Sequence, residues 1–242
     1  MSDDLQLAAQ VHYSFLPDDF IDDRLSIAVT LRPLYDLGGD YCSILPLDEN
    51  RLLLCTCDAV GHGVSAALFA ARINTYVLTH AEAISRPCEL VAGLNAYLCK
   101  RLSETGMYTT FYTVLFDFAA GTVSFTGAAH PPVLQYEPET KSCREWPSVV
   151  TFLGITDPMP LLCDSEQANI HSGERFLIYS DGLIEAENVA DELYGVERLK
   201  QSLAAHGNLE GQPLNQAILD DAEAFAGSGF KDDVLLMSVS VR

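Results

Sequence analysis

Four short acidic segments sit where apolar, strand-like runs begin or end: Gly38-Gly39-Asp40, Asp58-Ala59-Val60-Gly61-His62-Gly63, Ser180-Asp181-Gly182 and Lys231-Asp232-Asp233. Each sets an aspartate beside a glycine or at the edge of a hydrophobic stretch, and each is far from the others along the chain. One such aspartate is ordinary turn or capping chemistry. Four in this order constrain the fold, because carboxylates scattered in this way converge around hard cations such as Mg²⁺ and Mn²⁺, which prefer oxygen ligands.

The rest of the chain sets bounds on that reading. Its 242 residues suit one large domain or two small ones with a substantial core, and 48% hydrophobic residues exclude a disordered chain. Thirty-four acidic against 14 basic residues give a net charge of −20, which repels nucleic acid and anionic membrane, so neither is expected as a partner. The acidic stretch from Met1 to Leu5 lacks the apolar core of a targeting signal, and no apolar run approaches the length of a membrane span. The seven dispersed cysteines contain no Cys-x-x-Cys and read as reduced thiols serving as small apolar residues, in keeping with a cytoplasmic location.

Periodicity predicts a helix over Leu5–Phe15 closed by Pro17, and strands over Leu25–Leu31, Tyr41–Leu47 and Arg51–Cys57, the last two joined by an Asp48-Glu49-Asn50 turn. The alanine-rich Val64–Ala83 reads as a helix, and Pro87 opens another to Leu102. Strands follow over Thr109–Phe118, Thr122–Gly127, Val133–Tyr136 and Arg175–Ser180. Two helices, Val196–Ala205 and Pro213–Ala226, precede a last strand over Val234–Val241. Tight turns between strands and helices grouped in pairs predict an α+β fold with antiparallel sheets packed between helices.

Within the acidic segments, the glycines after Asp58 let backbone approach a ligand closely. Asp181 ends the apolar Phe176–Tyr179, and the adjacent Asp232 and Asp233 repel each other, so a cation is wanted nearby: Lys231 or a metal. His62 is open to two readings, as a proton donor or as a side chain packed in a glycine turn. His130, followed by two prolines, reads as structural, and Glu185–Glu192 as a solvated acidic loop.

Taken together, the four segments resemble the RsbU/SpoIIE branch of the PPM metal-dependent serine/threonine protein phosphatases, over roughly Leu16 to Val241. Arg32-Pro33, Met107-Tyr108-Thr109-Thr110, Ala128-Ala129-His130-Pro131-Pro132, Glu185-Ala186 and the run from Tyr194 to Arg198 fit the same pattern in the same order. The resemblance implies an αββα sandwich, with an N-terminal helical segment at 1–16 and a phosphatase domain at 17–242. It implies two Mn²⁺ or Mg²⁺ ions, with Asp58 bridging, the Ala59 carbonyl on one ion, Asp181 and Asp232 on the other, and Asp40 and Asp233 on bound waters or a further ion. Asp58, Asp181 and His62 are the implied catalytic residues, acting on phosphoserine or phosphothreonine of a STAS-type anti-anti-sigma regulator. A homodimer formed through the N-terminal helix is compatible with the pattern.

The chain departs from that pattern at Ser43, where the family carries a second aspartate, at Ala129, and at Leu235, where it commonly carries threonine. Ser43 and Leu235 leave open an alternative, a catalytically weak or inactive module of the same fold that sequesters a regulator. If Ser43 lies near the cations, Ser43→Asp should tighten metal binding.

Overall fold

The computed structural model describes residues 3–160, 166–227 and 229–242. In chain order the elements are α1 (Asp3–Tyr13), β1 (Phe20–Ile21), β2 (Leu25–Arg32), β3 (Tyr41–Pro46), β4 (Arg51–Cys57), α2 (Val64–His80), α3 (Pro87–Leu102), β5 (Phe111–Asp117), β6 (Thr122–Ala128), β7 (Val133–Glu137), β8 (Ser142–Trp146), β9 (Glu166–Asn169), β10 (Arg175–Tyr179), α4 (Asp181–Ile184), α5 (Gly195–His206), α6 (Gln212–Ala226) and β11 (Val234–Val241). Their contacts group the chain into two units, each drawn from three separate segments.

The first unit takes in Met1–Pro17, Tyr35–His130 and Pro147–Ile170. Its five strands form an antiparallel sheet in the order β3-β4-β5-β6-β9. The β3–β4 hairpin closes where Asp48 accepts hydrogen bonds from the amides of Asn50 (2.8 Å) and Arg51 (2.9 Å). α2 has neither glycine nor proline, and it buries Ala66, Phe69, Ala70, Ile73 and Val77, the i, i+3, i+4 stripe of an amphipathic helix. That stripe packs with Leu90, Val91, Leu94 and Leu98 of α3 and with Tyr41, Leu53, Phe111 and Leu115 of the sheet. Each large apolar side chain buried this way contributes about 1.5–3 kcal/mol. Asn74, buried on α2, bonds the Tyr41 hydroxyl at 2.9 Å and so satisfies both polar groups.

The second unit takes in Asp18–Leu34, Pro131–Trp146 and His171–Arg242. Its antiparallel sheet runs β1-β2-β11-β10-β7-β8. β11 is buried at every position, as its nearly continuous apolar sequence requires of a strand flanked on both edges. α5 and α6 cover the sheet through Leu199, Leu203, Leu214, Ile218 and Leu219, which meet Leu177, Tyr179 and Leu236. Asn215 of α6 is fully buried and donates to the Ala28 carbonyl and Thr30 Oγ1, both at 3.1 Å, which ties α6 to β2.

The predicted elements are present within a residue or two of their expected limits, except that α2 stops at His80 and the expected last turn, Ala81–Ala83, is a 3-10 turn; β1, β8, β9 and the one-turn α4 are additional. Two antiparallel sheets, each with its own helices, bear out the α+β expectation. Cys42, Cys55, Cys57, Cys99 and Cys143 are free thiols as expected, and burial pushes Cys55 up to about 12, which makes it inert at neutral pH. Cys88 departs from the expectation, since it is disulfide-bonded. Among the described residues no helix is long and apolar enough to cross a membrane.

Candidate active site

In the first unit, register places two of the predicted aspartates together. Tyr41 pairs with Cys57, so Asp40 and Asp58 leave the same end of the β3–β4 hairpin. Gly39 lets the two arms touch: the Ala59 amide donates to the Gly39 carbonyl at 3.3 Å, and a Cβ on Gly39 would stand 2.5 Å from the Ala59 carbonyl oxygen. Asp40 is buried here.

Two adjacent threonines clamp the Asp58 backbone. Its amide donates to Thr110 Oγ1 (3.0 Å), and its carbonyl accepts from the Thr110 amide (3.0 Å) and from Thr109 Oγ1 (2.8 Å). Thr110 Oγ1 lies 2.8 Å from Nδ1 of His130, a buried side chain whose amide donates to Ser148 Oγ at 2.9 Å. His130 is thus a brace behind Asp58, in keeping with its structural reading. The clamp was not foreseen in the sequence, although the Thr109-Thr110 pair ahead of a strand was its visible signal. His62 lies in the exposed turn leading into α2, between Gly61 and Gly63 at φ 88° and 80°, and its imidazole stacks on Tyr35.

Ser43 does not sit where the family pattern suggested. Strand alternation puts it on the face of Tyr41 and Leu45, beside Cys55, in the core that α2 covers. An aspartate there would be buried among apolar side chains, so the expectation of tighter metal binding from Ser43→Asp is withdrawn.

In the second unit, Tyr179 pairs with Leu236, so the end of β10 that carries Asp181 lies beside the end of β11 preceded by Asp232 and Asp233. Ser180 locks the two: its amide donates to the Leu235 carbonyl (3.0 Å), its Oγ accepts from the Leu235 amide (2.9 Å) and donates to the Asp233 carbonyl (3.2 Å). Asp233 Oδ1 accepts from the Leu34 amide at 2.6 Å, and Asp232 Oδ1 from the Asp233 amide at 2.8 Å. Lys231 forms its ion pair with Glu187, so the nearest lysine in sequence is engaged away from the aspartate pair.

The charge balance of this strand end is unfavourable without a cation. Burial, and then the neighbouring Asp232, raise the Asp181 carboxyl above the usual aspartate range. Burial, Asp181 and Asp232 do the same to Glu185. The donor sets of both units consist of carboxylate and carbonyl oxygens, which suit Mg²⁺ or Mn²⁺. Among the described residues no group of three or more His, Cys, Asp or Glu side chains is arranged to hold an ion. The fit is one of donor chemistry and crowded charge, not of coordination geometry.

A family profile described as Stage II sporulation protein E (SpoIIE) matches residues 48–242. The chain belongs to the SpoIIE family of PPM-type phosphatases. The SpoIIE match takes in Asp58, Asp181, Asp232 and Asp233 and begins after Asp40. Among curated proteins, the chain is 22% identical to protein IcfG of Synechocystis sp. over 98% of its own length and 41% of that protein. It is 21% identical to phosphoserine phosphatase RsbP of Bacillus subtilis over 75% of its length and 45% of RsbP. It therefore spans less than half of each of these relatives. The solved SiaA-PP2C domain of Pseudomonas aeruginosa superimposes with a TM-score of 0.81 at 18% identity, covering 98% of this chain and 95% of that domain. RsbX, solved in complex with magnesium, gives 0.68 at 15% identity, covering 93% and 98%. At these identities the superpositions establish a SpoIIE-type PP2C fold.

Proposed function

We propose that this chain is a metal-dependent protein phosphatase that hydrolyses phosphoserine or phosphothreonine. The observation that carries the proposal is the crowding of Asp181, Asp232 and Glu185 at one strand end of a SpoIIE-family chain, with Lys231 engaged elsewhere. In this reading Asp40, Asp58, Asp181, Asp232 and Asp233, with the Ala59 carbonyl, are the ligands of Mn²⁺ or Mg²⁺. When bound, the ions supply an acidified water and neutralise charge on the phosphoryl oxygens.

The chain's own residues supply rigidity and a proton. Thr109 and Thr110 fix the Asp58 backbone, and Ser180 fixes the arm carrying Asp181, so the carboxylates are held before substrate arrives. His62 protonates the departing seryl or threonyl oxygen. The substrate is a phosphorylated STAS-type regulator in a bacterial partner-switching pathway; the name of RsbP as a phosphoserine phosphatase supports phosphoserine as the group hydrolysed. The reading also keeps residues 1–16 as a helical segment apart from a phosphatase domain at 17–242, a homodimer formed through that helix, and a cytoplasmic location.

The test is phosphate release from a phosphoserine peptide by the purified chain. Activity is expected with Mn²⁺, less with Mg²⁺, and none after chelation. Turnover in a metal-stripped sample, or none with either ion, would overturn the proposal.

A further inference from the structure

His62 is held in an unusual way for a residue in so open a turn. A Cβ at either flanking glycine, Gly61 or Gly63, would meet nothing within 4 Å, and the imidazole is exposed. Among the described residues it makes no hydrogen bond or ion pair. Its contact is the ring of Tyr35, nearly parallel at an interplanar angle of 21° with centroids 4.6 Å apart. The backbone that carries that ring is held at two points. The Tyr13 hydroxyl of α1 donates to the Tyr35 carbonyl at 3.3 Å, and the Gly63 amide donates to the carbonyl of buried Leu37 at 2.9 Å. The segment Tyr35–Leu37 thus grips the His62 turn once through the main chain and once through a ring. Tyr35 itself is 47% exposed, so core filling does not explain it.

We propose that Tyr35 is a positioning residue for His62, its ring holding the imidazole in the orientation needed to protonate the leaving oxygen. The inference rests on the phosphatase reading. In the step concerned, a water oxygen bonds to phosphorus while the bond from phosphorus to the seryl oxygen breaks. The electron pair stays on the seryl oxygen, which takes the N–H proton of the imidazolium. The proton from water passes to solvent, and the products are a serine hydroxyl and inorganic phosphate. An alkoxide needs that proton, whereas a nitrophenolate leaves without it, so loss of orientation should depend on the leaving group.

The experiment compares wild type, Tyr35→Ala, Tyr35→Leu and Tyr35→Phe with Mn²⁺ on a phosphoserine peptide and on p-nitrophenyl phosphate. Tyr35→Ala and Tyr35→Leu should lower kcat on the peptide about 10- to 100-fold with KM unchanged, a fraction of the roughly 100- to 10,000-fold that a general acid contributes. The p-nitrophenyl phosphate rate should stay within about twofold, and Tyr35→Phe should recover the peptide rate because the stack survives. Adding Tyr35→Ala to His62→Ala should bring little further loss, since the tyrosine acts only through the imidazole. In proton NMR the His62 ring signals should carry the upfield shift of a stacked aromatic in wild type and Tyr35→Phe, and lose it in Tyr35→Ala. An active wild type whose Tyr35→Ala variant slows both substrates equally, or neither, would overturn this inference alone. So would a Tyr35→Phe variant as slow as Tyr35→Ala. A wild type inert to both substrates would overturn the phosphatase reading and this inference with it.

Discussion

Gly182→Ala should disable the second acidic strand end while leaving the fold standing. A Cβ at Gly182 would lie 2.2 Å from the Asp233 carbonyl oxygen, 3.1 Å from its carbon and 3.3 Å from the Asp232 Cβ, and contacts under 3.0 Å essentially do not occur. Close to 1 Å must therefore be found, and the obstacle is the Asp233 backbone, whose carbonyl accepts from Ser180 Oγ while the same residue's carboxylate accepts from the Leu34 amide. Overpacking of this kind costs about 1–3 kcal/mol. For a chain of this size each kcal/mol moves Tm by about 2–4 °C, so a fall of roughly 2–12 °C is expected by calorimetry. The displaced Asp232 and Asp233 should cost activity about a hundredfold, the usual effect of a 1 Å misplacement near the chemistry. Gly93→Ala is the control. There the Cβ would meet the end of one side chain and no backbone: the Tyr76 hydroxyl at 2.5 Å and its Cζ at 3.6 Å. That overlap should cost under about 1 kcal/mol, offset by the better helix propensity of alanine, and leave turnover intact. If Gly182→Ala melted and turned over like wild type, the claimed rigidity of this strand end would be refuted.

Thr110→Val keeps the shape but strips the hydroxyl from the Asp58 amide and His130, so urea titration should show a loss of about 1–3 kcal/mol, with a parallel fall in activity. Asp181→Asn should abolish activity yet stabilise the metal-free protein. Because the folded Asp181 carboxyl titrates above its unfolded value, its ionised form is penalised. That penalty is absent in acid below the unfolded pKa and is complete once pH has risen past the folded one, so the stability gap between variant and wild type in chelator should open with rising pH. Ser43→Asp should unfold at lower urea than wild type, by about 1–3 kcal/mol, because its carboxyl is buried without a partner; an equally stable variant with tighter Mn²⁺ binding in calorimetry would restore the discarded expectation.

What could be read from the residues followed from strong local signals. Pro87 marks the first turn of α3, the Asp48-Glu49-Asn50 turn delimits β3 and β4, and the apolar run of β11 carries its own limits. β8 carried no such signal. Ser142-Cys143-Arg144-Glu145-Trp146 buries fully only its tryptophan, and its strand identity comes from pairing with β7. α4 reads as an Asp-Gly turn until the rest of the second unit makes it one helical turn. The aspartates stood out because strand ends frame them. Their supports did not, because the Thr110–His130 contact, the Tyr35–His62 stack and the Lys231–Glu187 pair join residues 20 to 44 positions apart. Ser43 misled for a related reason: counting residues from Asp40 ignores which face of β3 the side chain takes.

The pairing of β2 with β11 carries a consequence for how the protein is made. Val234 pairs with Arg32 and Val241 with Leu25, so neighbours in the middle of the six-stranded sheet are separated by about 200 residues. During synthesis β2 must wait, one edge open, until the roughly 200 residues that separate it from β11 have left the ribosome. In the first unit the wait is shorter: β3 and β4, and β5 and β6, are joined by tight turns, and only α2 and α3 separate Cys57 of β4 from Phe111 of β5. A nascent chain stalled between the end of β10 and Val234 should therefore present a completed five-stranded sheet alongside a second sheet that lacks β11 and is prone to pair with strangers.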